Sequence, residues 1–329
     1  MERIFKRLLS EIIDYAGLFP PAALPMPEAL DNYLDYKLSS HNWMLSRFVV
    51  GVNHLNELVE VGKERISVND IIDLTITVPQ IGTINAFGQQ IDKVINQISA
   101  TRKALKPRTR THMLEVKLPM QIKHVDDPKD ILKIIERAVA PMTGDPNLPN
   151  RIFFEIPDHN FDIRVAIRVI KAIAMHNMSA QKRKLKNYLF SGLKIRCGGQ
   201  EASHVPPADY LAKLMLIARD ANVPVKFTAG LHHPYRHYDD QLNIDVHGFL
   251  NVFCTGILAY TQDITVEEAT EILSDKNPDH FKFSKDSFSW KEFEAPILEV
   301  KLLRMLSLIS FGSCSFTEPV EELRHLKLI

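Results

Sequence analysis

Short β-branched or aromatic runs alternate along this chain with longer stretches whose apolar residues recur every three to four positions. Few folds accommodate that rhythm. The runs predict strands at Arg47–Val52, Ile72–Val78, Thr111–Leu118, Arg151–Ile156, Ser191–Cys197, Pro224–Ala229, Phe281–Ser284 and Ile309–Ser313. Between them, Ile84, Phe87, Ile91, Val94, Ile95 and Ile98 follow the 3.6-residue helical period. Asp127 followed by Pro128 reads as an N-cap and first-turn proline, opening a helix with Ile131, Ile134, Ile135 and Val139. Phe161, Val165 and Val169 mark a third helix and Leu211, Leu214 and Ala218 a fourth, while Thr265 and Glu268 form a capping box for another. Strand–helix alternation implies a parallel sheet. Eight repeats favour a (β/α)8 TIM-type barrel over an open doubly wound sheet.

Side chains on a strand alternate between faces, and these strands divide consistently by parity. Leu74, Ile76 and Val78 oppose Asp73, Thr75 and Thr77; Leu114, Val116 and Leu118 oppose Met113, Glu115 and Lys117. Phe154 and Ile156 oppose Phe153 and Glu155; Leu193, Ile195 and Cys197 oppose Lys194 and Arg196; Val225, Phe227 and Ala229 oppose Lys226 and Thr228. Central strands of a sheet covered on both faces would be apolar throughout. Here the apolar set is expected to meet the surrounding helices and the polar set to point at the barrel axis. Isolated buried charges are too costly to retain, so those groups must pair with one another or meet a ligand.

The composition narrows the function classes. Formal net charge is zero, which gives no electrostatic footprint for nucleic acid or a membrane surface. The basic run Lys182-Arg183-Lys184-Leu185-Lys186 is local and reads as a solvated loop. Three scattered cysteines, Cys197, Cys254 and Cys314, argue against a disulfide framework. With no secretory pattern in the first residues, a cytoplasmic location is expected. The apolar stretch Gly248–Tyr260 is too short to span a bilayer. Neither the dinucleotide-binding glycine fingerprint nor a P-loop is present. One domain over 1–329 is expected, with residues 1–45 as an N-terminal extension packed on the barrel.

Two segments carry the candidate chemistry: Lys194-Ile-Arg-Cys-Gly-Gly199 and Lys226-Phe-Thr-Ala-Gly-Leu-His-His-Pro234. Each puts a lysine shortly before a glycine turn. Amines on consecutive strand ends suit either anion binding or amine attack on a carbonyl. Attack requires a neutral amine, and burial with a neighbouring cation depresses a lysine pKa. Arg196 and Lys226 are placed to do this to Lys194, with Glu155 and Glu115 as proton shuttles. Gly198, Gly199 and Gly230 would expose amide N–H groups to a phosphate or carboxylate, and Thr228 shares the inward parity. Anion clamping by the same residues remains an equal alternative. Cys197 has outward parity and reads as a packing residue; Cys314 and Glu318 follow the last strand, near the barrel mouth.

The order Phe153-Phe-Glu155, then Lys194, then Lys226-Phe-Thr-Ala-Gly-Leu231 resembles class I deoxyribose-phosphate-type aldolases over strands four to six. That resemblance implies a Schiff base on Lys194 and a pKa-lowering role for Lys226. Two departures stand out: Arg196-Cys197-Gly198 replaces a small hydroxyl-rich turn, and His232-His233-Pro234 follows Gly230. The family's strand-three aspartate has Glu115 as its nearest counterpart. Leu18-Phe-Pro-Pro21 and Cys314-Ser-Phe-Thr-Glu-Pro319 also resemble elements of an uncharacterised bacterial family, which supplies no activity.

The histidines offer a second reading. His232, His233, His237 and His247 flank a long loop with Asp239, Asp240 and Asp245, open to a metal-assisted hydrolase or isomerase or to a lid over substrate. Arg236 in the lid, with His247 and Asn251 at the start of the following helix, would complete an anion site. The expectation is therefore a lyase acting on a small anionic carbonyl compound, without metal or cofactor, nucleic acid or membrane, and compatible with a homo-oligomer. The third reading is a non-catalytic ligand-binding barrel whose inward charges only pair.

Overall fold

In the computed structural model, which describes residues 2–80, 82–157, 161–182 and 190–329, the strand–helix rhythm closes on itself. The barrel strands are β1 (Ile13–Tyr15), β2 (Leu45–Gly51), β3 (Ile72–Val78), β4 (Thr109–Lys117), β5 (Arg151–Glu155), β6 (Phe190–Arg196) and β7 (Val225–Thr228). After them come a hairpin of β8 (His237–Asp239) and β9 (Ile244–Val246), and an antiparallel sheet of β10 (Phe281–Phe283), β11 (Ser287–Trp290) and β12 (Phe293–Pro296). The eighth barrel strand, β13 (Leu308–Ser313), inserts between β7 and β1, and β1 pairs with β2 to complete a closed parallel barrel. This is the (β/α)8 architecture.

The connecting helices are α1 (Glu2–Leu9), α2 (Met26–Leu38), α3 (Leu55–Arg65), α4 (Ile84–Leu105), α5 (Pro128–Val139), α6 (Ile163–Lys182), α7 (Ala208–Asp220), α8 (Phe249–Thr261), α9 (Val266–Ser274), α10 (Ile297–Leu306) and α11 (Thr317–His325). Their starts follow local chemistry. The Asp127 carboxylate accepts from the Lys129 N–H ahead of a first-turn proline, and Thr265 with Glu268 forms the reciprocal capping box. Among the described residues no helix is long and apolar enough to cross a membrane.

Two strand assignments need correction. Phe281–Phe283 is not a barrel strand; its aromatic rings pack outside the barrel with Phe288 and Trp290 in the antiparallel sheet. The missing barrel strand is Ile13–Tyr15, which lies inside the segment read as an N-terminal extension. With only three residues, it offers too short a run for a period-two signal. Phe161 precedes α6 and has a positive φ of 53°. The basic run lies, apart from Lys182, outside the described residues.

The parity division holds in three dimensions. The residues Leu74, Ile76, Leu114, Val116, Phe154, Leu193, Ile195, Val225 and Phe227 join the large core between barrel and helices. Met113, Phe153 and Ile309 form a separate apolar cluster inside the barrel. Each of Met113 and Phe153 precedes an inward glutamate by two positions, so this plug is a floor one residue layer below the charges. Gly192 makes room for it: a Cβ there would fall 2.4 Å from the Phe153 ring and 2.7 Å from the Pro224 carbonyl oxygen. A Gly192→Ala variant is expected to lose about 1–3 kcal/mol of stability through overpacking, measured by denaturant unfolding. Wild-type stability in that variant would show that the floor has slack.

Candidate active site

The inward charges form one connected ladder around the barrel axis. Strand register sets its order, because Lys117, Glu155, Lys194 and Lys226 are consecutive partners across β4, β5, β6 and β7. Lys194 Nζ lies 2.8 Å from Glu115 Oε2 and 2.9 Å from Glu155 Oε2. Lys226 Nζ pairs with the other Glu115 oxygen and with Asp14. Asp14 accepts from Ser310 Oγ at 2.7 Å and from the Arg47 backbone N–H at 3.0 Å, with the Arg47 guanidinium 3.3 Å away. At the other end, Glu155 Oε1 faces Arg196 at 3.6 Å and Lys117 at 3.8 Å.

Exposure rises along this ladder toward the strand C-terminal ends: the side chain of Lys226 is 1% exposed, that of Lys194 11% and that of Arg196 34%. The Lys226 end is therefore sealed and the Arg196 end open to solvent. Five cations (Arg47, Lys117, Lys194, Arg196, Lys226) meet three carboxylates (Asp14, Glu115, Glu155), an excess of two positive charges. Lys117 and Arg196, whose only carboxylate partner among the described residues is Glu155, place that excess at the mouth; Arg196 also donates to the Gly198 carbonyl at 3.2 Å.

Electrostatics reverses one expectation. Burial alone would lower the Lys194 pKa, but the flanking Glu115 and Glu155 carboxylates outweigh it and push it well above the usual lysine range. Lys226 does not convert Lys194 into a free amine; the two lysines share Glu115 instead. Burial would raise the Glu155 carboxyl, but Lys194 and Arg196 hold it down at about 2. Glu115 is likewise held low by Lys194 and Lys226, against the effect of burial. The resting site thus contains an ammonium between two carboxylates.

Other predicted site residues fall into two groups. Thr228 is paired in register with Arg196 and sits beside the ladder. Gly198 and Gly230 bring the ends of β6 and β7 into contact: a Cβ on Gly198 would lie 2.8 Å from the Gly230 Cα, and Gly230 has a φ of 72°. Their first role is close backbone approach. Gly199 packs against His204 in the same turn.

The second group is drawn away from the ladder. His247 is buried, donates from Nε2 to the Pro206 carbonyl at 2.8 Å and accepts from Arg236 at 3.2 Å. Burial lowers its pKa to about 4, so it stays neutral. Asn251 accepts from the Arg236 backbone N–H and donates to the carbonyls of Ile272 and Asp275, a buried staple between α8 and α9. His232 donates to Glu318 at 2.8 Å, and His233 faces Glu322 at 3.6 Å. These contacts tie the loop to α11. Among the described residues no group of three or more His, Cys, Asp and Glu side chains is placed to hold a metal ion. Cys197 lies in the outer core, where burial pushes its thiol pKa up, as its parity implied.

Sequence reasoning missed Asp14 and Ser310. Asp14 stands between Ile13 and Tyr15 in the unrecognised first strand. Ser310 reaches the axis because β13 shifts register between Leu308 and Phe311, turning both Ile309 and Ser310 inward.

Removing Lys226 would leave Asp14 and Glu115 buried without their shared cation. Lys226→Met is expected to cost about 3–5 kcal/mol, and neutralising Asp14 in the same protein (Asp14→Asn) should recover part of it; a harmless Lys226→Met would contradict the ladder. The depressed Glu155 carboxyl contributes stability that is present above the unfolded carboxylate range, near 4.3, and lost as pH falls toward about 2. Unfolding free energy should therefore fall more steeply between about pH 5 and about pH 2 in wild type than in Glu155→Gln. Equal slopes would show that Glu155 is not held by its neighbours. No protein-family model and no curated protein matches this chain, so its functional reading rests on the geometry of the site.

Proposed function

We propose that the protein is an aldolase-type lyase that takes a small anionic carbonyl compound and holds it as a Schiff base on Lys194. The observation that supports this reading is the Lys194 ammonium placed between Glu115 and Glu155 at the exposed end of an ionic ladder with surplus cations. A phosphate or carboxylate on the substrate would meet Lys117 and Arg196, supplying the negative charge that the ladder lacks. Barrel enzymes keep their chemistry at this end.

The chemistry then follows from proton positions. Lys194 must first become neutral, and Glu155, at 2.9 Å and more exposed than Glu115, is the acceptor within reach. The freed amine adds to the carbonyl carbon, giving a carbinolamine. Glu155 returns the proton to the carbinolamine oxygen, which leaves as water, and the product is an iminium ion. Its positive charge occupies the position held by the resting ammonium, between the same two carboxylates. Glu155, ionised again, takes the proton of the β-hydroxyl as the adjacent carbon–carbon bond breaks; that oxygen leaves as the carbonyl of the first product, and the bond's electron pair flows to the iminium nitrogen as an enamine. The proton then returns to the enamine carbon, and water hydrolyses the resulting iminium, releasing the second product and the Lys194 amine. Lys226 acts at one remove, keeping Glu115 ionised and in place.

Because the resting amine is held protonated, adduct formation should accelerate as pH rises through the alkaline range. Borohydride trapping with glyoxylate, pyruvate and glyceraldehyde 3-phosphate, mapped by peptide mass spectrometry, is expected to label Lys194. Glu155→Gln should slow trapping by about 10²-fold or more. No adduct on Lys194 across the panel, or labelling confined to exposed lysines, would favour a barrel whose inward charges only bind an anion.

A further inference from the structure

A second set of cations gathers at the opposite end of the barrel. There, a cleft of about 370 Å³ is lined by Glu11, Tyr33, Lys37, Arg47, Asp73, Arg110 and their neighbours. Arg47, Asp73 and Arg110 come from the N-terminal parts of β2, β3 and β4, and Lys37 comes from the end of α2. The cleft is therefore separated from Lys194 by the apolar floor of Met113, Phe153 and Ile309.

Its charges are incompletely matched. The Asp73 Oδ1 atom is engaged by Arg110 Nε at 3.0 Å and by His112 Nε2 at 2.8 Å. Lys37 donates to the Ile71 carbonyl at 2.7 Å, and among the described residues no carboxylate pairs with it. Arg47 uses one terminal nitrogen on Asp14 and Ser46, while its Nε is buried without an acceptor. An unsatisfied buried donor on a guanidinium is costly; because that Nε is sealed, an anion in the cleft would meet Arg47 through its partly exposed terminal nitrogens. Among the described residues Asp14 is the only carboxylate partner of Arg47, and Asp14 is shared with Lys226. Guanidinium groups bind carboxylate and phosphate oxygens in preference to neutral acceptors.

We infer that this basal cleft binds a small metabolite carrying a carboxylate or phosphate group, gripped by Arg47, Lys37 and Arg110. Glu11, the remaining carboxylate of the lining, would accept a hydrogen bond from a hydroxyl or ammonium on the same molecule. The volume suits a ligand of a few to a dozen heavy atoms, at the small end of ligand pockets. A hydroxylated phosphate or hydroxy acid meets both requirements.

Isothermal titration with inorganic phosphate, glycerol 3-phosphate and malate separates this site from the mouth. Arg47 is left intact, because replacing it would unpair Asp14. The double variant Lys37→Met/Arg110→Met is expected to lose one binding event, by about tenfold or more in affinity. Lys117→Met/Arg196→Met should leave that event in place. Retention of all binding in the cleft variant, or loss of all binding in the mouth variant, overturns the inference. Loss of binding only in the cleft variant would count against the mouth as an anion site and leave the cleft standing. Should the cleft variant fail to fold, phenylglyoxal modification of wild type decides: phosphate should protect Arg110, and equal modification with and without phosphate refutes the site. A stronger response to glycerol 3-phosphate than to malate assigns a phosphate ligand, and the reverse a carboxylate.

Discussion

Glu115 is the hinge of this molecule's interior. It is buried, and each of its oxygens faces a different lysine, so it joins the sealed half of the ionic ladder to the exposed half. Removing a carboxylate from water is expensive unless cations and hydrogen bonds replace the lost hydration. That cost is offset only if Lys194 and Lys226 sit on adjacent strands in matching register, which the β6–β7 pairing provides. The same register requires glycines where the strand ends touch, and a small residue at position 192 above which Phe153 fits. Packing and charge placement therefore constrain one another.

The two ends of the ladder differ in what surrounds them. At one end Asp14 receives a backbone N–H, a serine hydroxyl and two cations, leaving little freedom. At the other, Glu155 meets three cations that can also reach solvent or a ligand. An ammonium between two carboxylates is a poor nucleophile until a proton moves, but it is a well-prepared seat for a cationic intermediate. In the proposed reaction the carboxylates would serve both steps, first as proton acceptor and then as counter-ions. The neighbouring lysine holds the geometry, where the sequence alone suggested it would hold the charge down.

Much of this was legible from residue order. The barrel followed from strand–helix alternation, and the ionic interior followed from parity, since Glu115, Glu155, Lys194 and Lys226 all oppose apolar partners. Three features escaped for physical reasons. The first strand is only three residues long, so Asp14 had no pattern to belong to. The bulge in β13 breaks the period-two rule that would have placed Ser310. Above all, the sign of the Lys194 shift depends on which neighbour comes closest. Spacing in the sequence points to Arg196 and Lys226, while distances give the role to two glutamates. His247 and Asn251 looked available because polar residues at a helix start often face a ligand; here backbone carbonyls claim them.

Nitrogen-detected NMR of the lysine ammonium groups, with assignment by Lys194→Met, addresses the central interaction most directly. Lys194 should remain protonated at a pH where exposed lysines have titrated, and Glu155→Gln should return its midpoint toward theirs. A Lys194 amine that loses its proton earlier than the surface lysines would contradict the two-carboxylate seat and restore the neighbouring cations as the dominant influence.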